Sequence, residues 1–243
     1  MKPPLGCGIA AIALMLTGCG DEAATNQAGG GDAPIAQIQA PNGDWTQTVT
    51  QTQAGGYLMG NPNAPVKLVE YGSFTCGHCA KFSEEATEPL QTRYVKSGQV
   101  SWEFRPFLLF PSDPGIGMLM RCQAPTAFFT LTDQLYATQS EWIKQVQQVA
   151  EQQGEQIQSM PAAQRAAYVV QAAGLDQFFR QRGLPEARVN ACLNDSSHLQ
   201  ALTDTTSLGV NEGVTGTPSF FINGDKVEAG TWADLEPEIK KAL

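Results

Sequence analysis

The residues best suited to chemistry lie in one stretch, Gly72-Ser73-Phe74-Thr75-Cys76-Gly77-His78-Cys79. Two residues between the thiols let both sulfurs reach bonding distance within one helical turn, so the pair can cycle between dithiol and disulfide. Flanking segments must position it. Upstream, Pro65-Val66-Lys67-Leu68-Val69-Glu70-Tyr71 is a β-branched and apolar run that follows an Asn61-Pro62-Asn63-Ala64-Pro65 turn and predicts a buried strand. Downstream, residues 80–94 have a helical pattern interrupted at Pro89. A strand that delivers Cys-x-x-Cys to a helix N-terminus sets the first thiol against unpaired backbone N–H groups and the positive end of the helix dipole. Both favour the thiolate. His78, between the cysteines, adds a further donor or positive charge.

Two other readings of the pair stand beside this one. Half of a zinc site would need four Cys or His ligands from two close-spaced pairs, but the chain has 2 His and its remaining cysteines stand alone. An inert disulfide closing so short a loop would be a poor staple, because little loop entropy is removed.

The whole chain sets the context for that pair. Its 243 residues are 42% apolar, which excludes wholesale disorder. Its formal charge of −9, from 15 Lys+Arg against 24 Asp+Glu, leaves no basic stripe and argues against nucleic acid as a partner. Six cysteines are present: Cys7, Cys19, Cys76, Cys79, Cys122 and Cys192. Residues 1–18 have Lys2 and a short apolar core from Leu5 to Leu16, the pattern of a signal peptide. The sequence Leu16-Thr17-Gly18-Cys19 that ends it resembles the lipobox of a bacterial lipoprotein, which implies lipidation at Cys19; the alternative is an ordinary cleavable signal with Cys19 incidental. Either way the mature protein leaves the cytoplasm for a compartment where disulfides persist. Residues 19–56 are mostly Ala, Gly, Gln, Asn, Asp and Thr and read as a flexible, lipid-anchored tether, with Ile35, Ile38 and Trp45 as exceptions able to touch the domain.

Three segments in combination, Gly60-Asn61-Pro62-Asn63-Ala64-Pro65-Val66, Cys76-Gly77-His78-Cys79 and Gly213-Val214-Thr215-Gly216-Thr217-Pro218-Ser219-Phe220-Phe221-Ile222-Asn223-Gly224, resemble the DsbA-like branch of the thioredoxin superfamily over most of residues 57–243. The resemblance implies an α/β protein: a thioredoxin fold with an inserted all-helical domain at about 108–213. It implies that Cys76 is the exposed nucleophile and Cys79 the resolving thiol. It also implies that Pro218 is a cis-proline beside them, with Thr217 before it, and that Thr217 and Pro218 form a strand edge for substrate. Glu70 falls where relatives place a buried acid near the resolving cysteine, a proton shuttle; the plainer reading is a strand-end carboxylate facing water. The dipeptide Gly77-His78 departs from the Pro-His of the best-known DsbA and matches protein disulfide isomerases.

Other segments fit that frame. Residues 100–107 alternate like a strand with one buried face, and the insert is helical throughout, with the Gln-rich stretch 139–158 read as a solvated face. Near the end, Ser219-Phe220-Phe221-Ile222 reads as a strand, Asn223-Gly224 as a hairpin turn, and residues 233–243 as a closing helix. Oxidising surroundings and the second disulfide of some DsbA-like proteins imply a structural bond between Cys122 and Cys192, the alternative being two separate free thiols.

The resulting expectation is a monomeric, membrane-anchored thiol–disulfide oxidoreductase of the periplasm or cell envelope. It would act on unfolded or cysteine-containing exported proteins, most simply as an oxidase, and be reoxidised by a membrane redox partner. No metal and no cofactor beyond the Cys76–Cys79 disulfide is expected. An isomerase or reductase using the same pair, or a non-catalytic peptide-binding lipoprotein, are the alternatives.

Overall fold

In the computed structural model, which describes residues 34–243, folded structure begins before the expected domain boundary at residue 57. Trp45 is buried and its Nε1 donates to Ile38 O at 2.8 Å, Ile38 N donates to Ser97 O at 2.8 Å, and Ile35 packs on the main core. Strand β1 (Val49–Gln51) then pairs antiparallel with β2 (Tyr57–Gly60). The tether expectation is therefore corrected for residues 35–56: a few apolar side chains in a polar stretch are enough to dock it, since one buried aromatic removes about 150–250 Å² from water. The signal segment 1–18, Cys19 and residues 19–33 lie outside the described residues.

Strand β3 (Val66–Gly72) runs into the active loop and helix α1 (Gly77–Pro89). Because Pro89 has no N–H to donate, the helix does not simply continue; it passes into a π-helical turn, Leu90–Val95. Strand β4 (Val100–Pro106) returns parallel to β3. The alternation predicts one buried face, yet nearly all of β4 is buried, because it lies between β2 and β3. Glu103 accepts from Thr52 Oγ1 at 2.6 Å and from Arg105 at 3.0 Å.

The insert supplies seven helices among the described residues: α2 (Asp113–Arg121), α3 (Phe128–Ala137), α4 (Gln139–Ser159), α5 (Ala162–Ala172), α6 (Leu175–Arg180), α7 (Glu186–Leu193) and α8 (Ser196–Asn211). They share the core of the sheet. Phe128 stacks on Tyr57 with centroids 3.8 Å apart, and Phe129 lies 4.6 Å from Trp102. In α8, Gly209 comes so close to the Tyr71 ring that a Cβ would stand 2.8 Å from it, so only glycine lets this helix seat on the sheet.

The chain closes with β5 (Ser219–Ile222), β6 (Asp225–Val227) and α9 (Trp232–Ala242). Asn223 and Gly224 take positive φ of 54° and 95°, the conformation a two-residue hairpin needs. Thr231 caps α9 through a capping box with Asp234. The sheet order is β1-β2-β4-β3-β5-β6, so β3 is central and Glu70 lies between Phe104 and Phe220. That places the active loop at the C-terminal end of a strand paired on both sides, whose last three residues are buried.

Candidate active site

Cys76 is the N-cap of α1, and its Sγ accepts a hydrogen bond from Cys79 N at 3.4 Å. The loop that carries it is gripped by the insert. Asp113, 0% exposed at the start of α2, accepts from Thr75 N (3.1 Å), Ser73 Oγ (2.9 Å) and Thr75 Oγ1 (3.1 Å). It also accepts from Leu109 N and Phe110 N, so one carboxylate ties the loop before Cys76 to the entry of the insert. Burial raises the Asp113 carboxyl while these donors oppose the rise. From the other side, Tyr136 OH donates to Ser73 O at 3.0 Å. Gln139 Nε2 donates to Phe74 O at 2.8 Å and Cys76 O at 3.1 Å. The reading of the Gln-rich stretch as a solvated face is thus corrected at Gln139, which is buried at the first turn of α4.

The two thiols shift in opposite directions. The Cys76 thiol is lowered to about 5, first by a hydrogen bond from the Cys79 side chain, then by Thr217 and the backbone N–H groups of Cys79 and His78, against the opposing cost of burial. The Cys79 thiol is pushed well above its ordinary range, chiefly by burial and then by Cys76. Cys76 is 8% exposed and Cys79 0%, so the expected exposed nucleophile is more enclosed than anticipated, although it remains the accessible member of the pair. Tyr136 packs against both. His78 acts on Cys76 through its backbone N–H; its imidazole is exposed and makes no hydrogen bond among the described residues.

The Thr217–Pro218 peptide bond is cis, and Cys76 Sγ lies 3.2 Å from Thr217 O, to which it donates only while protonated. The structure therefore brings Cys76, Cys79, Thr217 and Pro218 together across 141 residues of sequence. The Thr217 hydroxyl is buried without a hydrogen-bond partner among the described residues, which leaves it able to donate to a sulfur, and it shifts both thiols downward.

Glu70 does not face water. It is 2% exposed and accepts from Trp102 Nε1 at 3.1 Å. Burial raises its carboxyl to about 8, opposed by the Trp102 bond and helped by the charges of Asp133 and Cys76. Its charge in turn raises the Cys79 thiol, which places the acid within electrostatic reach of the buried sulfur.

Cys122, at the C-cap of α2, is disulfide-bonded to Cys192 in the last turn of α7, with Cα atoms 6.1 Å apart and 70 positions between them. Cys19 lies outside the described residues. Among the described residues, no three His, Cys, Asp or Glu side chains gather as a metal site, and no helix is long and apolar enough to cross a membrane.

Asp113, Tyr136 and Gln139 were missed in the sequence. A weak signal existed for Asp113 alone, an acid ahead of a proline at a helix start, and it pointed to a cap and not to a loop 38 residues upstream.

Comparison with known proteins gives the site a family setting. A thioredoxin family model matches residues 52–241. The crystal structure of a protein-disulfide isomerase from Novosphingobium aromaticivorans is 31% identical, with a TM-score of 0.72 over 76% of this chain and 95% of that one. Wolbachia pipientis alpha-DsbA1 has the same fold, with 22% identity and a TM-score of 0.61 over 77% of this chain and 90% of that one. A Rickettsia prowazekii protein, provisionally named a protein-disulfide oxidoreductase, is 24% identical over 188 residues, 76% of this chain. The match spans only 61% of that relative's length.

Proposed function

The chain belongs to the thioredoxin family, in its DsbA-like branch, and from that premise we propose that it is a cell-envelope thiol–disulfide oxidoreductase that introduces disulfides into exported proteins. The observation that carries this reading is the split between the sulfurs, Cys76 lowered to about 5 and Cys79 raised. A stabilised Cys76 thiolate favours the reduced pair, which is the property of an oxidant.

In the forward reaction a client thiolate attacks Cys76 Sγ of the closed pair. The Cys76–Cys79 bond breaks, Cys79 leaves with the electron pair and takes a proton, and a mixed disulfide remains on Cys76. A second client thiolate attacks the client sulfur of that mixed disulfide and releases Cys76 as a thiolate. The low pKa of Cys76 makes it a good leaving group. The client has lost two electrons and its cysteines are joined; the enzyme pair holds both electrons and passes them to a membrane redox partner. Glu70 is the adjacent acid, able to give Cys79 its proton because its own carboxyl stays protonated to about 8. Clients would pair their backbone with the Thr217–Pro218 edge, which lies beside Cys76. Lipid on Cys19 would hold this monomeric enzyme at a membrane, and a Cys19→Ala protein that resists carbonate washing would remove that element.

A second reading, isomerase or reductase, is favoured by Gly77-His78 and by the Novosphingobium relative described as a protein-disulfide isomerase. Equilibration of Cys76–Cys79 with glutathione separates the readings. A potential less negative than about −150 mV supports the oxidase, about −180 mV the isomerase, and below about −250 mV a reductase.

A further inference from the structure

The exchange reaction leaves a proton to be delivered. Cys79 departs as a thiolate in a place where burial holds its thiol high, so a proton must reach it, and the same proton must leave when the pair closes again. Glu70 is within electrostatic reach of it but is 2% exposed and cannot trade protons directly with bulk water. Beside Glu70 a cavity with room for about one water molecule lies between α1 and α3, lined among others by Ser83, Trp102, Thr132, Asp133 and Tyr136. Asp133 is half-buried at its outer wall and accepts from Ser83 Oγ at 3.0 Å and Thr87 Oγ1 at 3.2 Å, both on α1.

The groups facing Glu70 are Trp102 from β4, Asp133 and Tyr136 from α3, and Cys76 and Cys79 at the start of α1. Those facing Asp133 are Ser83 and Thr87, with Glu70 across the cavity. Two carboxyl groups therefore share one small cavity, one sealed and one reaching the surface. Burial raises both, so each holds a proton closer to neutral pH than an ordinary carboxyl would.

We propose that Asp133 is a relay residue that carries the Cys79 proton between Glu70 and solvent, so that the helical insert supplies the outer half of the proton path for the thioredoxin core. The proposal rests on the exchange reading above. As the pair opens, Glu70 gives its proton to the Cys79 thiolate and becomes a carboxylate; Asp133 reprotonates it through the cavity and is itself reprotonated from water. Closing the pair runs the same transfers in reverse. A purely structural role would instead make Asp133 a tie between α3 and α1, and Asp133→Asn keeps that tie because Asn Oδ1 still accepts from Ser83 and Thr87.

The test is stopped-flow opening of the Cys76–Cys79 disulfide by dithiothreitol, followed by tryptophan fluorescence from pH 5 to pH 9. Relay predicts that Asp133→Asn opens about tenfold more slowly near pH 7–8, that the limb following Glu70 moves to lower pH as the neighbouring negative charge is removed, and that imidazole buffer recovers part of the rate. Asp133→Glu should restore the wild-type profile, and Thr87→Ala, which cuts a tie and keeps the carboxylate, should leave it unchanged. A wild-type rate and profile in Asp133→Asn overturns the relay, as does a loss that Asp133→Glu fails to restore. If the wild-type disulfide does not open with thiol at any pH, the exchange reading fails and not the relay alone.

Discussion

Cys76 and Cys79 lie three positions apart at the start of one helix, whereas Cys122 and Cys192 lie 70 apart and join the ends of two helices in the insert. Helix polarity separates the pairs as clearly as loop length does. Cys76 caps the N-terminus of α1, where N–H groups and the positive dipole end hold a thiolate. Cys122 sits at the C-cap of α2 and Cys192 in the last turn of α7, where the carbonyl ends disfavour one. A bond across a short loop with a stabilised thiolate is easily opened. A bond that closes 70 residues, with neither sulfur so favoured, is a staple. One oxidising compartment can hold both, because the difference lies in which end of a helix each sulfur meets.

Four variants press on that contrast. The largest effect is on activity: Cys76→Ser should abolish disulfide exchange with a reduced client peptide, while Cys122→Ala/Cys192→Ala retains it. The double variant should instead lose about 4 kcal/mol of stability by the loop-entropy argument, read as a fall in Tm of roughly 8–16 °C for a chain of this size. Full stability without the second bond would break the comparison.

Glu70→Gln gives a pH-dependent effect. In the folded protein the Glu70 carboxyl is raised to about 8, so between its unfolded value and pH 8 the native state holds a proton that the unfolded state has lost. Its contribution to stability therefore falls as pH rises through that window. Urea unfolding should show Glu70→Gln gaining on the wild type from about pH 4.5 to pH 8 and levelling above, by on the order of 5 kcal/mol; a constant offset would deny the shift. Smallest is Gln139→Leu, which strips donors from the Phe74 and Cys76 carbonyls and should cost about 1–3 kcal/mol in the same assay.

What the sequence made legible was local. Strand, Cys-x-x-Cys and helix follow one another within 30 residues, and their order alone puts Cys76 at a helix N-terminus. Thr217 and Pro218 came from resemblance, since nothing nearby in the chain pairs them with Cys76. The loop clamp was illegible: Asp113, Tyr136 and Gln139 reach residues 73–76 from 38 to 65 positions away, and the 3.6-residue period shows which face of a helix is apolar, not which loop its end meets. Glu70 stayed open for a related reason. Period-2 alternation gives its face of the strand, but its burial depends on the insert packing over that face, as Phe129 of α3 does against Trp102. Strands β1 and β2 are short, and what buries Tyr57 is the distant Phe128 stacked on its ring.

The central claim is that the fold holds Cys76 as a thiolate. Its direct measurement is the rate of Cys76 alkylation by iodoacetamide in the reduced protein as a function of pH, with modification located by mass spectrometry. The account predicts a midpoint of about 5. A midpoint near the ordinary cysteine value of about 8.5 would contradict it.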